Sequence, residues 1–220
     1  MKPRTWGALF DWDGVIVDSS RFHEESWDRL SAETGKPLFP GHFRKTFGMI
    51  NEEIIPRLLR WTDDPAEIRR LSRRKEELFR GIAREQGIAA LPGAESWLRR
   101  LRGERVPCAV ASSTQRENIE MILGLIGFDF FDAIVSSEDV VKGKPDPSVF
   151  LAAAMKIGRP PSRCVVFEDA HVGVAAARAA GMRVVGVATT HPADTLAGCD
   201  LVVRRLDEIP FESVEAWFRD

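Results

Sequence analysis

The sequence predicts an α/β protein: a Rossmann-like core of parallel strands with helices on both faces, carrying an inserted helical cap domain. Three observations lead there. From Leu91 to the C-terminus, apolar runs of strand length alternate with helix-period stretches and lack hairpin spacing, which implies a parallel sheet covered on both faces. One further strand candidate, Gly7-Ala8-Leu9-Phe10, stands alone near the N-terminus. Between it and the alternating region, from about Ser20 to Gln86, every periodic stretch is helical. The expected organisation is therefore a core of residues 1–18 and 87–220 with a helical domain of residues 19–86. A chain of 220 residues is long enough to bury a large core in such an arrangement.

The elements follow in order. After Pro65, the residues Ile68, Leu71, Leu78, Phe79 and Ile82 recur at helical spacing among Arg69, Arg70, Arg73, Arg74 and Glu76. Asp64-Pro65 supplies the start, with Asp as N-cap and Pro at the first helical position. Val106 to Ser112 is an apolar run of strand length, and Ile119, Ile122, Leu123 and Ile126 mark the next helix. Ala133 to Val135 reads as a short strand and Pro147 to Met155 as a helix capped by Asp146. Cys164 to Phe167 is a strand before an Ala-rich helix from His171 to Ala180, and strands follow at Arg183 to Val187 and Leu201 to Val203.

Composition excludes several classes. Hydrophobic residues make up 44% and charged residues 29%, ordinary for a globular protein. A formal charge of −2 supplies no basic field, so nucleic acid is not an expected partner. The apolar N-terminal stretch is broken by Asp11 and Asp13, too soon for a signal segment or a membrane span. Cys108, Cys164 and Cys199 are an odd, scattered set without zinc spacing, which fits a reducing compartment. A cytoplasmic monomer with no membrane partner is the expectation.

Four polar clusters fall at the ends of strand candidates: Asp11/Asp13, Ser112-Ser113-Thr114, Lys144-Pro145 and Glu168-Asp169. In a parallel sheet those ends share one edge, where ligands bind and where the loop to the helical insertion departs, placing that insertion as a lid. Asp11 and Asp13, two residues apart, project from one strand face, so one carboxylate can attack as nucleophile while the other handles a proton. Asp13-Gly14 also reads as a turn, which accounts for Asp13 but not for Asp11. Glu168-Asp169 could cap the following helix. Carboxylates crowded at one sheet edge are better explained by a hard cation such as Mg²⁺ held by oxygens of Asp11 and Asp169. Ser112, Ser113 and Thr114 suit a phosphate at a helix N-terminus, and suit an ordinary N-cap equally well. Lys144, held extended by Pro145, can neutralise both the carboxylates and an incoming phosphoryl group, whereas Lys142 reads as solvated.

At these four places the chain resembles the haloacid dehalogenase superfamily of phosphotransferases. The matching residues are Phe10-Asp11-Trp12-Asp13-Gly14-Val15 with Asp18, Val110-Ala111-Ser112-Ser113, Gly143-Lys144-Pro145-Asp146-Pro147, and Phe167-Glu168-Asp169. The helical insertion resembles the small cap of the β-phosphoglucomutase-like subgroup. Gly48 looks like the glycine of that cap's specificity loop, and His23 and Lys75 fall where the subgroup places polar cap residues. The resemblance implies that Asp11 forms an aspartyl-phosphate while Asp13 protonates the leaving oxygen and then deprotonates the acceptor. It also implies that Mg²⁺ is held by Asp11, the Asp13 carbonyl and Glu168/Asp169, and that Ser112, the Ser113 backbone and Lys144 hold the phosphoryl oxygens.

Hydrolysis of a small phosphorylated metabolite, a sugar phosphate first, is the leading expectation. The alternative is a β-phosphoglucomutase, whose cap must hold a second phosphate. The mutase pattern has an arginine three residues after the loop glycine; here that position is Asn51, which lacks a guanidinium's paired, charge-assisted donors. Lys45 or Lys75 could substitute, and the Arg69–Lys75 run reads as a solvated face. A non-catalytic binding module is disfavoured by the intact nucleophile. Dehalogenation is disfavoured because Asp13 and Glu168-Asp169, retained here, have no part in it.

Overall fold

A computed structural model of the chain describes residues 4–46 and 49–219. Six short apolar segments form one parallel sheet: β1 (Gly7–Phe10), β2 (Cys108–Ala111), β3 (Ala133–Val135), β4 (Cys164–Glu168), β5 (Arg183–Val187) and β6 (Leu201–Val203). Their order is β3-β2-β1-β4-β5-β6. The chain winds outward from β1 in one direction, then returns to β4 and winds the other way. The reversal leaves a crevice at the carboxyl ends of β1, β2 and β4, the position where such sheets bind ligands.

Alternation along the strands divides the core. Ala8, Phe10, Val110, Val165 and Phe167 are buried in one layer, with Phe10 stacked on Phe167 at 4.5 Å. Leu9, Ala109, Ala111 and Val166 are buried in the other. Helices cover both layers: α5 (Ala94–Gly103), α6 (Arg116–Ile126) and α9 (Phe211–Ala216) pack on the first, and α7 (Ser148–Lys156) and α8 (His171–Ala179) on the second. Neither α5 nor α9 was among the sequence expectations. Their signals are short: Trp97, Leu98 and Leu101 in one, and Phe211 and Val214 in the other. Cys108 and Cys164 are buried and unpaired by disulfide, and burial pushes the Cys164 thiol up to about 12.

Among the described residues between β1 and α5, the regular elements are all helical: α1 (Ser20–Thr34), α2 (His42–Thr46), α3 (Asn51–Glu53) running into a wider π turn at Ile54–Leu58, and α4 (Pro65–Gln86). The Asp64 carboxylate accepts the Ala66 N–H at 3.1 Å and starts α4, as its position before Pro65 predicts. This region has its own apolar cluster of Trp27, Leu30, Ile54, Ile55 and Leu71, separate from those around the sheet. The chain enters and leaves it along two adjacent paths. Val17 bridges Ala90, and the Leu91 N–H donates to the Ile16 carbonyl at 2.8 Å. No helix among the described residues is long and apolar enough to cross a membrane.

Candidate active site

Register places the clusters. Phe10 lies opposite both Val110 and Phe167, so the residues that follow, Asp11, Ser112 and Glu168-Asp169, emerge together. The Asp11 N–H donates to the Phe167 carbonyl at 3.0 Å and the Ser112 N–H to the Val135 carbonyl at 3.0 Å, extending the ladder to the crevice. Lys144 reaches in from the loop before α7. Its Nζ is 2.9 Å from Asp11 Oδ1 and 2.6 Å from Glu168 Oε1, and all three side chains are buried. The Lys144-Pro145 bond is cis. The Asp146 carboxylate accepts the Ser148 N–H at 3.0 Å, so the helix begins one residue later than its sequence predicts.

Asp11, Glu168 and Asp169 each offer an oxygen within 4.8 Å of the others. Burial, the largest influence, pushes Asp11 up to about 8, against the pull of Lys144 and with Glu168 and Asp13 adding repulsion. Burial and the same crowding hold Asp169 well above the usual carboxylate range. A divalent cation would relieve both. The donor set fits one: Asp169 Oδ1 is buried and has no hydrogen-bond partner, and hard oxygen donors suit Mg²⁺. Glu168 has both oxygens engaged, one by Lys144 and the other by the Ala170 N–H at 2.7 Å. It enters so deeply under α8 that a Cβ on Gly173 would lie 1.7 Å from its Oε1.

The plainer readings of these polar residues do not describe what they do. The N-cap of α8 is Ala170, without a side-chain bond, and Asp169 instead accepts the Thr190 hydroxyl. Helix α6 begins at Arg116 behind Gln115, so Ser112 caps nothing; its Oγ accepts the Thr114 N–H at 3.0 Å within the preceding turn. Ser113 lines the same cavity. Gly14 does make a turn, with φ of 78°, but the Asp13 side chain points away into a set of donors.

Those donors are the Ser19 and Thr114 hydroxyls and His23 Nε2, 3.3 Å from Asp13 Oδ1. Burial alone would push Asp13 up. His23 and the two hydroxyls overcome it and bring the carboxyl down to about 2. His23 lies flat on Phe79 at 4.1 Å, and its Nδ1 faces Lys75 Nζ at 2.6 Å. The ammonium donates there, which leaves the proton on Nε2, facing Asp13.

Lys75 also pairs with Glu76 at 3.0 Å, and Glu76 accepts from Asn51 Nδ2 at 2.7 Å and Asn118 Nδ2 at 2.5 Å. Asn51 borders the cavity, but its amide hydrogens go to Glu76 and to Ser72 at 3.2 Å. Lys45, a candidate for a second phosphate, is exposed with its Nζ over the Phe39 ring. Arg69, Arg70 and Arg73 are exposed, as expected of a solvated face, but the run does not stay solvated: Arg74 is half-buried and Lys75 is buried. Gly48 lies outside the described residues. Sequence reasoning missed Ser19, Glu76, Asn118 and Thr190. Thr114, read with the Ser-Ser pair as a phosphate or cap residue, donates instead to Asp13, whereas the others carry no local signal.

Trp27, Phe43, Met49 and Ile50 contribute apolar lining to the cavity, and Glu52 and Glu76 add negative charge. Lys75 is the one lysine or arginine among its described lining residues.

Residues 7–181 match the family model described as haloacid dehalogenase-like hydrolase. The chain is 40% identical over 207 residues to the chloroplastic 5-amino-6-(5-phospho-D-ribitylamino)uracil phosphatase of Arabidopsis thaliana, covering 92% of this chain and 55% of that protein. It thus spans little more than half of that relative's length. Its identity to the Beta-phosphoglucomutase of Bacillus subtilis is 32%, covering 96% of this chain and 94% of that one. Among solved structures, a beta-phosphoglucomutase from Clostridium difficile superposes with a TM-score of 0.85 at 25% identity, covering 98% of this chain and 97% of the other.

Proposed function

The chain belongs to the haloacid dehalogenase-like hydrolases, and from that premise we propose that it is a Mg²⁺-dependent phosphatase of a small phosphorylated metabolite, a sugar or polyol phosphate, acting through an aspartyl-phosphate. The observation that carries the reading is the convergence of Asp11, Asp13 and Lys144 on one crevice beside the Asp11–Glu168–Asp169 cluster. We read the helices of residues 19–86 as a cap over a core of residues 1–18 and 87–220.

In the first half-reaction an Asp11 oxygen bonds to phosphorus as the bond from phosphorus to the ester oxygen breaks, and Asp13 gives its proton to that oxygen. In the second, Asp13 takes a proton from water, whose oxygen displaces Asp11 and releases phosphate. The Ser112 hydroxyl, the Ser113 N–H and Lys144 hold the equatorial oxygens, and Glu168 keeps Lys144 in place. The Asp11 and Asp169 carboxylates, in the cluster shared with Glu168, and the Asp13 carbonyl would hold Mg²⁺, which would supply charge neutralisation when bound. The donors around Asp13 favour the carboxylate that accepts the proton from water. To serve as acid it must first be protonated. The Ser19 and Thr114 hydroxyls can then turn from donor to acceptor, whereas the His23 N–H can only donate and must turn away from the protonated oxygen.

The cap wall supports water, rather than a second sugar phosphate, as acceptor. Asn51 and Lys75 are already engaged, and Glu52 and Glu76 disfavour a further anion. The apolar wall and the Arabidopsis relative's substrate put a ribitylamino-pyrimidine phosphate first in a phosphate-release screen, beside fructose 1-phosphate, β-glucose 1-phosphate and pyrophosphate. Release is expected with Mg²⁺ and at background level for Asp11→Asn. Full activity in excess chelator, or an active Asp11→Asn protein, would overturn the mechanism. Efficient conversion of β-glucose 1-phosphate to glucose 6-phosphate, primed with bisphosphate, would make the chain a mutase.

A further inference from the structure

The loop after β5 takes no part in the mechanism above, yet it touches two of the segments that surround the cation cluster. Thr190 donates its hydroxyl to Asp169 Oδ2, and Thr189 donates its hydroxyl to the Gly14 carbonyl, next to Asp13. The loop itself is anchored. The Ala188 N–H donates to the Val203 carbonyl on β6 at 2.7 Å, and the Thr189 N–H folds back to the Val187 carbonyl at 2.9 Å. Packing between the parts is close: a Cβ on Gly14 would lie 2.0 Å from Asp169 Oδ2 and 2.9 Å from Thr190 Oγ1.

We propose that Thr190 is a positioning residue for the divalent cation, orienting the Asp169 carboxylate so that Oδ1 is left to ligate. The proposal rests on reading the Asp11–Glu168–Asp169 cluster as a Mg²⁺ site. The last torsion of an aspartate is broad and nearly two-fold, so a carboxylate with no partner on either oxygen has no fixed ligating direction. Thr190 occupies Oδ2, and Oδ1 is buried with no partner among the described residues. Asymmetric use of the two oxygens is what a cation-binding carboxylate with a hydrogen-bonded outer partner requires. Thr189 ties the Asp13–Gly14 turn to the same loop, so segments following β1 and β4 are held in register by a third strand's loop.

Thr190 is exposed, so replacing it tests orientation with little risk to the fold. Mg²⁺ binding to the wild type, Thr190→Val and Thr190→Ser is measured by titration calorimetry in the absence of substrate, with stability in chelator as a fold control. Loss of an outer-sphere partner typically weakens metal affinity about 10- to 100-fold, so Thr190→Val is expected to raise the Mg²⁺ Kd by about tenfold. Thr190→Ser, which keeps the hydroxyl, is expected to restore it, and kcat at saturating Mg²⁺ is expected to stay near the wild-type value in both. If Thr190→Val binds Mg²⁺ as tightly as the wild type, or if Thr190→Ser fails alongside it, the role assigned to Thr190 is wrong. A wild type that binds no Mg²⁺ defeats the cation-site reading itself, a different result from either.

Discussion

Lys144 stands between two buried carboxylates, and its neighbours show how a single residue holds this site together. Its Nζ bonds Asp11 and Glu168, and the two carboxylates hold its own pKa above the ordinary lysine value even though burial pulls the other way. Removing the cation leaves two buried anions facing each other, the costly half of a broken ion pair. Lys144→Met is expected to lose about 3–5 kcal/mol of stability in urea unfolding with chelator present. Phosphate release should fall by about 10²–10³, as when one charge-stabilising donor is removed. The double variant Lys144→Met/Glu168→Met should recover part of the stability and none of the activity. A single variant as stable as the wild type would mean the carboxylates are solvated. The residue types at this site could be read from the sequence because nucleophile and acidic pair each follow a strand-length apolar run and the lysine stands before a proline. Their partners could not: Thr190 is 21 residues from Asp169, and Thr114 is 101 from Asp13.

Two helices from different parts of the chain meet at Glu76. This residue of α4 is buried, and its carboxylate accepts from Asn118 of α6, from Asn51 and from Lys75. Arg80, one turn along α4, donates to Asn118 Oδ1 at 2.9 Å, so the contact is reciprocal. Burial pushes the Glu76 pKa up, but Lys75, His23 and Asn51 outweigh it and the net direction is down. A carboxyl whose folded pKa is depressed contributes stability that is present above its unfolded value, about 4.3, and lost as pH falls through the folded one. Thermal unfolding followed from pH 6 downward should therefore lose stability below about 4.3 more steeply in the wild type than in Glu76→Gln. Equal slopes would show that Glu76 is not held ionised by its partners. Asn118→Ala, which strips a donor from a buried anion, is expected to cost about 1–3 kcal/mol. At this scale helical periodicity revealed α4 and α6 but not their meeting, since Asn118 and Glu76 are polar residues and the apolar period carries no sign of their burial. The short α5 and α9 went unread because two or three large apolar residues over about two or three turns make a weak periodic signal.

Across the whole molecule, the two chain paths between sheet and helical insertion run side by side, paired through Val17 and Ala90 and through Ile16 and Leu91. Gly87, just past the end of α4, has φ of 74°. Two adjacent crossings form a natural hinge axis, while the His23–Asp13 and Glu76–Asn118 contacts close the insertion onto the core. Adding Mg²⁺ with aluminium fluoride, a mimic of the transferring phosphoryl group, is expected to reduce the radius of gyration in solution scattering. It should also slow hydrogen exchange around Val17–Ser20 and Gln86–Leu91. Unchanged profiles would mean that substrate enters a rigid site.

What the sequence by itself determined was the six strands in order, most of the helices between them, the helical stretch after the first strand, and the polar residue types in four clusters. These depend on local periodicity and on residue type, and both are written in consecutive residues. Only the tertiary structure decided what each polar group faces. It engaged Asn51 and Lys75 with their neighbours in and beside the insertion, ended the N-cap readings of Ser112 and Asp169, and brought Thr190 to the Asp169 carboxylate. The physical reason is that a buried polar group must find its partner wherever the fold brings one near, however distant in the chain.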